Sequence, residues 1–456
     1  MSEVLDVPTF TTVPLGELLT DIRNGLVVDQ EKESPGIPIT RIETISKGTV
    51  DMDRVRYVRD TAGKNLDNFW LKTGDILFSH INSDLHLGKT AIVSSDAPLL
   101  HGMNLLRLRV DSNRLRPKYL HHWLDYCRRT GVFMAIAQHA VNQSSLNQKK
   151  ITSLEVPLRA VGEQDEIVAE LEKQFSRLDE AVTNLQRVKA NLKRYKASVL
   201  KAAVEGRLVE TEATLARRER RTYQTGEQLL QRILEERRAK WSGRGKWKAP
   251  ESSTAGTTVP EGWTWASVDQ LADVGTGATP KRDKAAYWND GDVPWVTSSV
   301  VNGDYVDQAS EFVTRLALAE TNLTLYPIGT LLVAMYGEGK TRGKCTELRI
   351  PASTNQALAA LQVDPSIRGY LRHFLELNYE EMRKFASGGV QPNLNLSLVR
   401  AVCVPLPPLS EQVRIVAEVD RHLSIIREVE AEVDANLLRA QALRQATLRA
   451  AFAGSS

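Results

Sequence analysis

Two Gly-Lys-Thr triplets most suggest chemistry, because this triplet closes the loop that holds nucleotide phosphates in many proteins. They occupy residues 88–90 and 339–341. The loop also needs a glycine five residues before its last glycine, and those two positions hold Ser83 and Ala334. Neither triplet therefore predicts a phosphate-binding loop of the known type.

Other catalytic signatures are missing as well. An amino-group methyltransferase would carry Asn or Asp before a Pro-Pro-aromatic run, but the single Pro-Pro pair, Pro407-Pro408, stands between leucines. The chain has no Pro-Asp dipeptide, with which the common nuclease pattern begins. The histidines show no metal-ligand spacing, and His80, His86 and the pair His121-His122 are interpreted as packing or surface residues. A Ser-His-Asp triad, or an active site without a familiar motif, stays open. Binding is the favoured function.

Composition sets the limits of the fold. The chain has 456 residues, 42% hydrophobic and 25% charged, which suits two to four globular domains. No apolar run is long enough to span a membrane, and the first residues do not resemble a signal peptide. The three cysteines are far apart in the sequence, which favours the cytoplasm. The formal net charge of +3 neither requires nor excludes a polyanionic partner.

The sequence contains an internal repeat. Val156-Pro157-Leu158 precedes Glu163-Gln164, and Val404-Pro405-Leu406 precedes Glu411-Gln412, at an offset of 248 residues. The offset holds to the end of the chain but drifts upstream, where Gly88-Lys89 parallels Gly343-Lys344. A drifting offset indicates loop insertions in a shared scaffold. The chain is therefore predicted to contain two copies of one unit, each a variable domain followed by a long helix.

Each repeat ends in a heptad pattern. The first copy, from Gln164 to about Gly206, has its apolar seam at Ile167, Leu171, Phe175, Leu178, Val182, Leu185, Leu192, Tyr195 and Val199, with Val188 in a partly filled position. The second copy has Ile415, Val419, Leu423, Ile426, Val433, Leu437, Leu443 and Leu448. A narrow seam needs a partner, so the two helices are predicted to form an antiparallel coiled coil. The alternative is that each helix packs on its own domain.

The variable domains are predicted to be α+β. Strand-like runs lie at 37–42, 75–78, 91–93, 105–110, 293–296, 331–335 and 357–363, and short helices at 117–126 and 367–385. The domain boundaries follow from the repeat. They are a first variable domain at 1–152, a first helical region at 153–208, a basic linker at 209–260, a second variable domain at 261–400 and a second helical region at 401–456.

The linker is strongly basic. Residues 217–248 contain eleven Lys and Arg against four Glu, with Trp241 and Trp247 among them. Such a stretch could neutralise phosphates, and it could equally be a solvated helix and tether. Two related domains on a stiff spacer suit a target with two parts at a fixed separation. Duplex DNA is the natural example, because half-sites about 34 Å apart lie on one face of the helix.

The whole chain resembles the specificity (S) subunits of type I restriction–modification enzymes. The resemblance is carried by the two Pro-Leu…Glu-Gln-x-x-Ile-Val helix starts and by Gly388-Gly389-Val390-Gln391-Pro392-Asn393-Leu394-Asn395 before the second helix. Val259-Pro260-Glu261-Gly262-Trp263-x-Trp265 is similar to the start of a target-recognition domain. The first copy departs from the family at residues 137–143, where the usual Gly pair is missing.

This resemblance implies a DNA-specificity subunit without catalytic activity. Each of two target-recognition domains would bind one half of a split DNA site, and the coiled coil would fix the gap. Two modification subunits, which bind S-adenosylmethionine and methylate adenine N6, and two restriction subunits, which use ATP and Mg²⁺, would join the chain, which itself needs no cofactor. Two alternatives remain, a standalone two-headed nucleic-acid-binding protein and the equivalent subunit of a related system in which methylation and cleavage share one polypeptide.

Loops that follow strands are the expected site of base recognition. In the first domain the candidates are Arg41, Ser79, His80, Asn82, Ser83 and Lys89, followed by Asn142 and Gln143. In the second domain they are Thr297, Ser298, Tyr336, Lys340, Arg342 and Lys344, followed by Gln391. Asn and Gln can pair with adenine and Arg with guanine, whereas Lys more often contacts phosphate. Each candidate could also be an ordinary surface residue.

Overall fold

The structure is a computed structural model that describes residues 11–453 except 47, 62, 97, 142, 242–246, 253–257, 337–340 and 379–393. The chain divides into two compact units. The first unit contains residues 1–187 and 433–456, and the second contains residues 188–432. Both long helices contribute one part to each unit.

The first unit contains eleven described strands. They are β1 Thr11–Pro14, β2 Leu19–Asn24, β3 Ile37–Ile39, β4 Arg56–Val58, β5 Ile76–Phe78, β6 Ile81–Asn82, β7 Thr90–Ile92, β8 Leu106–Val110, β9 Gln138–Ala140, β10 Gln143–Ser145 and β11 Glu155–Leu158. Its helices are Pro117–Arg129, Val132–Ile136, Gln148–Thr152 and the start of the first long helix, Val161–Val204. The central sheet is antiparallel in the order β2-β8-β5-β7, and the helix Pro117–Arg129 packs beside β7.

The second unit contains ten described strands. They are β12 Thr264–Ser267, β13 Ala272–Thr276, β14 Val293–Val296, β15 Tyr305–Val306, β16 Glu311–Val313, β17 Leu331–Ala334, β18 Cys345–Leu348, β19 Ser353–Thr354, β20 Leu358–Val363 and β21 Cys403–Leu406. Its helices are Glu212–Glu219, Gly226–Ala239, Val268–Leu271, Arg315–Glu320, Pro365–Leu377, Leu396–Arg400 and the start of the second long helix, Leu409–Phe452. The central sheet has the order β13-β20-β17-β18-β15.

The two units share one topology, as the repeat predicts. In each, the strand before the long helix pairs antiparallel with the strand that opens the domain, β11 with β1 and β21 with β12. Strands β2-β8-β5-β7 correspond to β13-β20-β17-β18. A proline starts the equivalent helices Pro117–Arg129 and Pro365–Leu377, where its missing N–H costs no helical hydrogen bond. The α+β prediction is confirmed.

The glutamine of the repeated Glu-Gln pair anchors the start of each long helix, and in the second copy the glutamate does so as well. The buried Gln164 amide donates to the carbonyls of Arg114 and Arg159, both at 2.9 Å, and the Gln412 amide donates to the Pro407 carbonyl at 2.9 Å. The buried Glu411 carboxylate accepts from the backbone N–H of Glu212 at 2.8 Å and from Trp263 Nε1 at 3.0 Å. These side chains form hydrogen bonds that water would form at an exposed helix end. Without them, backbone polar groups at the buried helix ends would be left unpaired.

The long helices run antiparallel. Within the first unit, Thr447 bonds to Gln174 at 3.2 Å and Arg444 to Asp179 at 2.7 Å, so residue numbers rise on one helix as they fall on the other. Within the second unit, Tyr195 Oη lies 2.9 Å from His422 Nδ1. The predicted coiled coil is confirmed, and the rival arrangement also holds in part, because each helix end packs into the core of a domain.

Burial divides the predicted seam. The seam residues Leu171, Phe175 and Val199 are buried, as are Ile415, Val419, Leu423, Ile426, Val433 and Leu448. By contrast, Val188, Tyr195 and Leu443 are exposed. Val188 and Tyr195 lie in the second half of the first helix, and Leu443 lies near the end of the second. The seam is therefore most tightly packed where a domain core covers the helix pair.

Most predicted strands agree with the structure to within about one residue, but the run at 37–42 is wrong in its second half. The strand ends at Ile39, and residues 42–45 form a 3₁₀ helix. The cause is local, because the Thr44 hydroxyl accepts the backbone N–H of Arg41 at 2.9 Å and turns the chain. The helix predicted at 367–385 is described as Pro365–Leu377, and residues 379–385 lie outside the described part.

The basic segment after the first long helix is largely folded. Its second helix, Gly226–Ala239, buries Leu229, Leu230 and Ile233 in the core of the second unit. Several of its charges form ion pairs, including Arg217 with Glu261 and Arg218 with Glu210. The positive charge counted in the sequence is thus partly neutralised within the fold.

Candidate nucleic-acid interface

The predicted residues of the first unit gather at one edge of its central sheet. Strand β5 ends at Phe78 and β7 begins at Thr90, so the connection 79–89 joins two strands of this sheet. The Lys89 ammonium reaches a second loop, in the segment between β3 and β4, and donates to the Ser46 carbonyl at 3.1 Å. Burial, followed by the nearby Arg128 charge, lowers the pKa of Lys89. This lysine therefore ties two loops together.

The second unit repeats this arrangement. Lys344, at the equivalent position before β18, donates to the Asn302 side-chain oxygen at 2.9 Å in the loop that follows β14. Gly88 and Gly343, which precede the two lysines, both have positive φ, at 75° and 83°. Their N–H groups bond to the carbonyls of Ser79 and Ala334, each at 2.8 Å. The Gly-Lys pairs thus form one turn, used twice, and its glycine supplies a left-handed backbone.

Two of the predicted residues in the first unit are buried. Ser79 is fully buried and accepts a hydrogen bond from Asn82 Nδ2 at 3.0 Å, and His80 is nearly so. Burial lowers the pKa of His80, which favours the neutral ring. Their side chains support the loop in this conformation and do not face solvent.

The remaining predicted residues of the first unit are at least partly accessible. Arg41 and Asn82 are half-buried, and Ser83 and Gln143 are exposed. Arg41 lies 3.7 Å from Glu43, which also pairs with Arg56. Strand β10, which carries Gln143, pairs with β6, which carries Asn82. The structure therefore brings the 79–89 loop and Gln143 together on one surface.

In the second unit, Thr297 and Ser298 follow β14, and Tyr336 and Arg342 lie between β17 and β18. Tyr336 is exposed and the other three are half-buried. The Thr297 hydroxyl lies 2.9 Å from that of Ser299. These positions correspond to the loops of the first unit. Three further candidates, Asn142, Lys340 and Gln391, lie outside the described residues.

Sequence analysis missed two features near these loops. One is the strand β9, whose residues Gln138 and His139 are exposed beside β10. The other is in the second unit, where the Arg282 guanidinium lies 3.9 Å from the centre of the Trp288 ring and 5.0 Å from that of Trp295. The missing Gly pair at 137–143 was the available sequence signal for strand β9, because without those glycines the segment can form a regular hairpin.

The described residues contain no cluster of three or more His, Cys, Asp or Glu side chains placed to hold a metal ion. Among the helices that the structure describes, none combines the length and apolar character needed to cross a membrane. The surface of polar, amide and basic side chains at the two sheet edges is suited to hydrogen bonding with base edges and phosphates.

A protein-family model described as a type I restriction modification DNA specificity domain matches the chain twice, at residues 9–193 and 260–436. The putative type I restriction enzyme MjaX specificity subunit of Methanocaldococcus jannaschii is 44% identical over 168 residues, 36% of this chain and 40% of that protein. The EcoKI specificity subunit of Escherichia coli K12 is 28% identical over 170 residues, 37% of this chain and 36% of that protein. The aligned parts span less than half of these relatives.

Two solved structures share the fold over nearly the full length. A chain from a study of complex assembly and conformational transition in a type I R-M system has a TM-score of 0.64 at 18% identity, with 98% of both chains covered. The HsdS subunit from Thermoanaerobacter tengcongensis has a TM-score of 0.53 at 17% identity, with 99% of both chains covered. At this level of identity, the likeness concerns the fold alone.

Proposed function

The chain belongs to the family of type I restriction–modification DNA specificity domains, and from this premise we propose that it is the subunit that selects the DNA site of such a system. Each unit would bind one half of a bipartite site in duplex DNA through the loops at its sheet edge. The observation that carries the proposal is the duplicated turn, in which Lys89 and Lys344 fasten equivalent loops in two domains whose other loop residues differ.

We further propose that the paired helices fix the number of base pairs between the half-sites. A duplicated domain needs a spacer of constant length if both copies are to bind one duplex. An α-helix rises about 1.5 Å per residue, so the length of each long helix changes predictably with insertions. The antiparallel contacts of Gln174 with Thr447 and Tyr195 with His422 fix the register of the two helices.

The chain would also recruit the catalytic subunits. The second long helix exposes apolar side chains away from its seam, namely Val413, Ile425 and Leu438. Exposed apolar residues that recur along one helix are suited to packing against partner helices. We propose that two modification subunits and two restriction subunits assemble on the chain in the cytoplasm. S-adenosylmethionine, ATP and Mg²⁺ would be bound by those subunits, and this chain would catalyse no step.

Methylation mapping of the assembled system tests this function. The full chain is co-expressed with a candidate modification subunit, and modified adenines are located in the host DNA. Replacing Val13–Lys150 with the first domain of another family member should change only one half of the methylated site. A change in both halves would refute independent recognition. DNA binding by a chain that co-purifies with no methyltransferase would instead favour a standalone two-headed binder.

The spacer proposal has its own test. Inserting two helical turns, about seven residues, into each long helix should lengthen the gap between half-sites and leave their base sequences unchanged. The matched control is the same peptide inserted into the tether around residue 252, outside both helices. An unchanged gap in the helix variant would show that the coiled coil does not set the spacing.

A further inference from the structure

The first unit carries a small β-hairpin beside its predicted DNA-binding loops. Strands β9 and β10 pair antiparallel with Gln143 opposite Ala140 and Gln138 opposite Ser145. The other edge of β10 pairs with β6, where Ser144 lies opposite Asn82. The hairpin therefore extends the surface formed by the 79–89 loop.

Side chains alternate across a strand, so the hairpin has two different faces. Gln138, Ala140 and Gln143 share one face, and all three are exposed. Val141, which follows β9, is 91% exposed. This combination of exposed amides and an exposed apolar side chain is suited to a duplex, in which amides bond to base edges and an apolar side chain can contact the thymine methyl group.

The opposite face of the hairpin is fixed by a chain of hydrogen bonds. Ser144 is only 1% exposed, and its hydroxyl donates to Asp84 Oδ1 at 2.5 Å. His139 Nδ1 lies 2.8 Å from the same hydroxyl oxygen. Because the single hydroxyl proton of Ser144 goes to Asp84, the His139 ring nitrogen is the donor to Ser144. These hydrogen bonds join β9 and β10 to the 79–89 loop.

The helix before the hairpin is also held in place. In this helix, Val132–Ile136, Phe133 is buried against Phe78, with ring centres 5.2 Å apart. The same Phe133 ring lies so close to Gly88 that a Cβ atom there would come within 2.1 Å of it. At the end of the helix, Lys150 donates to the Ile136 carbonyl at 2.6 Å. The hairpin thus stands on a rigid base, which favours recognition with defined geometry.

We propose that this hairpin is the base-recognition element of the first unit, with Gln138 and Gln143 as its specificity-determining residues. The inference rests on the proposed function and deepens it. A two-stranded ribbon fits the DNA major groove, and a glutamine amide can bond to both N6 and N7 of adenine. The predicted ligand is therefore a half-site that contains adenine in the major groove. Asp84, Ser144 and His139 are positioning residues, since they hold the hairpin without facing the bases.

The test measures methylation by the full chain with its modification subunit. Gln138→Ala and Gln143→Ala are each expected to slow methylation of the cognate site roughly ten- to hundredfold, and to relax base choice in one half-site only. The control is Asn113→Ala, an exposed amide after β8 at the opposite edge of the sheet, which should change neither rate nor site. Unchanged rate and site in both glutamine variants would overturn the inference.

The positioning role is tested at Asp84, which is exposed enough for its removal to leave folding intact. Asp84→Ala should relax base choice in the first half-site at an unchanged melting temperature, and Asp84→Asn, which keeps the acceptor oxygen, should restore it. Equal loss of specificity in both halves would overturn the inference. If exchange of the whole first domain changes one half-site while the glutamine variants change nothing, only this inference fails. If the exchange also changes nothing, the proposed function fails.

Discussion

The stabilities of the two units should change in opposite directions with pH. In the first unit, His101 is fully buried, and its Nε2 lies 3.1 Å from the Leu105 carbonyl. Burial, followed by the charge of Arg107, lowers its pKa to about 3. In the unfolded chain the ring titrates near 6.5. At pH 5 the unfolded chain therefore binds a proton that the folded unit does not, and the free energy of unfolding falls as the pH falls.

The size of the effect follows from the two pKa values. Between pH 7.5 and pH 5, a histidine that shifts from about 6.5 to about 3 on folding lowers the free energy of unfolding by about 2 kcal/mol. His80, His121 and His122 of the same unit also have lowered pKa values, chiefly through burial, and act in the same direction. Acidification from pH 7.5 to 5 should thus destabilise the first unit by at least about 2 kcal/mol.

His373 gives the stability of the second unit the opposite dependence on pH. Burial alone would lower its pKa, but the hydrogen bond to Asp420 at 3.0 Å and the Glu376 carboxylate, 3.9 Å from Nδ1, raise it. Lys196 faces the same cluster from the first long helix, 2.6 Å from Glu376. A raised pKa means that the stabilisation is complete below about pH 6.5 and is lost as the pH rises through the folded value. Acidification to pH 5 should leave this contribution intact.

Hydrogen exchange of the intact chain separates the two units. Protection factors at pH 5, 6.5 and 8, corrected for intrinsic exchange, give an opening free energy for each segment. We expect the sheet of the first unit to lose protection toward pH 5 and the helix Pro365–Leu377 to lose it toward pH 8. In His373→Gln the second trend should vanish and the first should persist. Loss of protection in both units toward the same pH would refute the reasoning.

Three further outcomes are expected. Asp75→Ala removes a buried carboxylate bonded twice to Arg109 at 2.7 Å and should cost about 3 kcal/mol in urea unfolding, whereas Asp165→Ala, at an exposed ion pair, should cost under about 1 kcal/mol. Gly88→Ala should destabilise more than Gly131→Ala, since both have positive φ but only the first meets a ring, and equal melting temperatures would contradict this. DNA affinity should fall about 10³- to 10⁵-fold between 50 and 200 mM salt if six to ten phosphates are contacted, and a flat titration would exclude backbone binding.

The features that could be predicted from the sequence are those with a long period. The 248-residue offset predicted two copies of one unit, and in each copy the strand before the long helix pairs with the strand that opens the domain, β11 with β1 and β21 with β12. The heptad seam predicted the helix pair because an apolar stripe on a long helix needs a partner. The strand at 37–42 failed because the Thr44 hydroxyl, a local competitor for backbone bonds, has no periodic signature.

The candidate site was harder to predict, because exposure is a tertiary property. Ser79 and His80 follow a strand, as a recognition loop should, yet the fold buries them. The hairpin that contains Gln138 was not found, because short polar strands lack the apolar alternation that marks a half-buried strand. The bond between Ser144 and Asp84 joins residues 60 positions apart, a distance at which a single sequence carries no pairing signal.

The side-chain contacts at equivalent positions of the domains and the long helices have diverged between the two copies. Adding 248 to Asp125 gives His373, and adding 248 to Lys196 gives Arg444. In the first unit Asp125 bonds to Arg128 and Arg129 of its own helix, while Arg444 bonds to Asp179. In the second unit His373 reaches Asp420 of the long helix. Each set of contacts is formed inside one unit. One domain can therefore change these contacts, its pH response and its loops while the other domain keeps its contacts, pH response and loops. Under the proposed function, that independence would allow one half of the recognition site to be exchanged at a time.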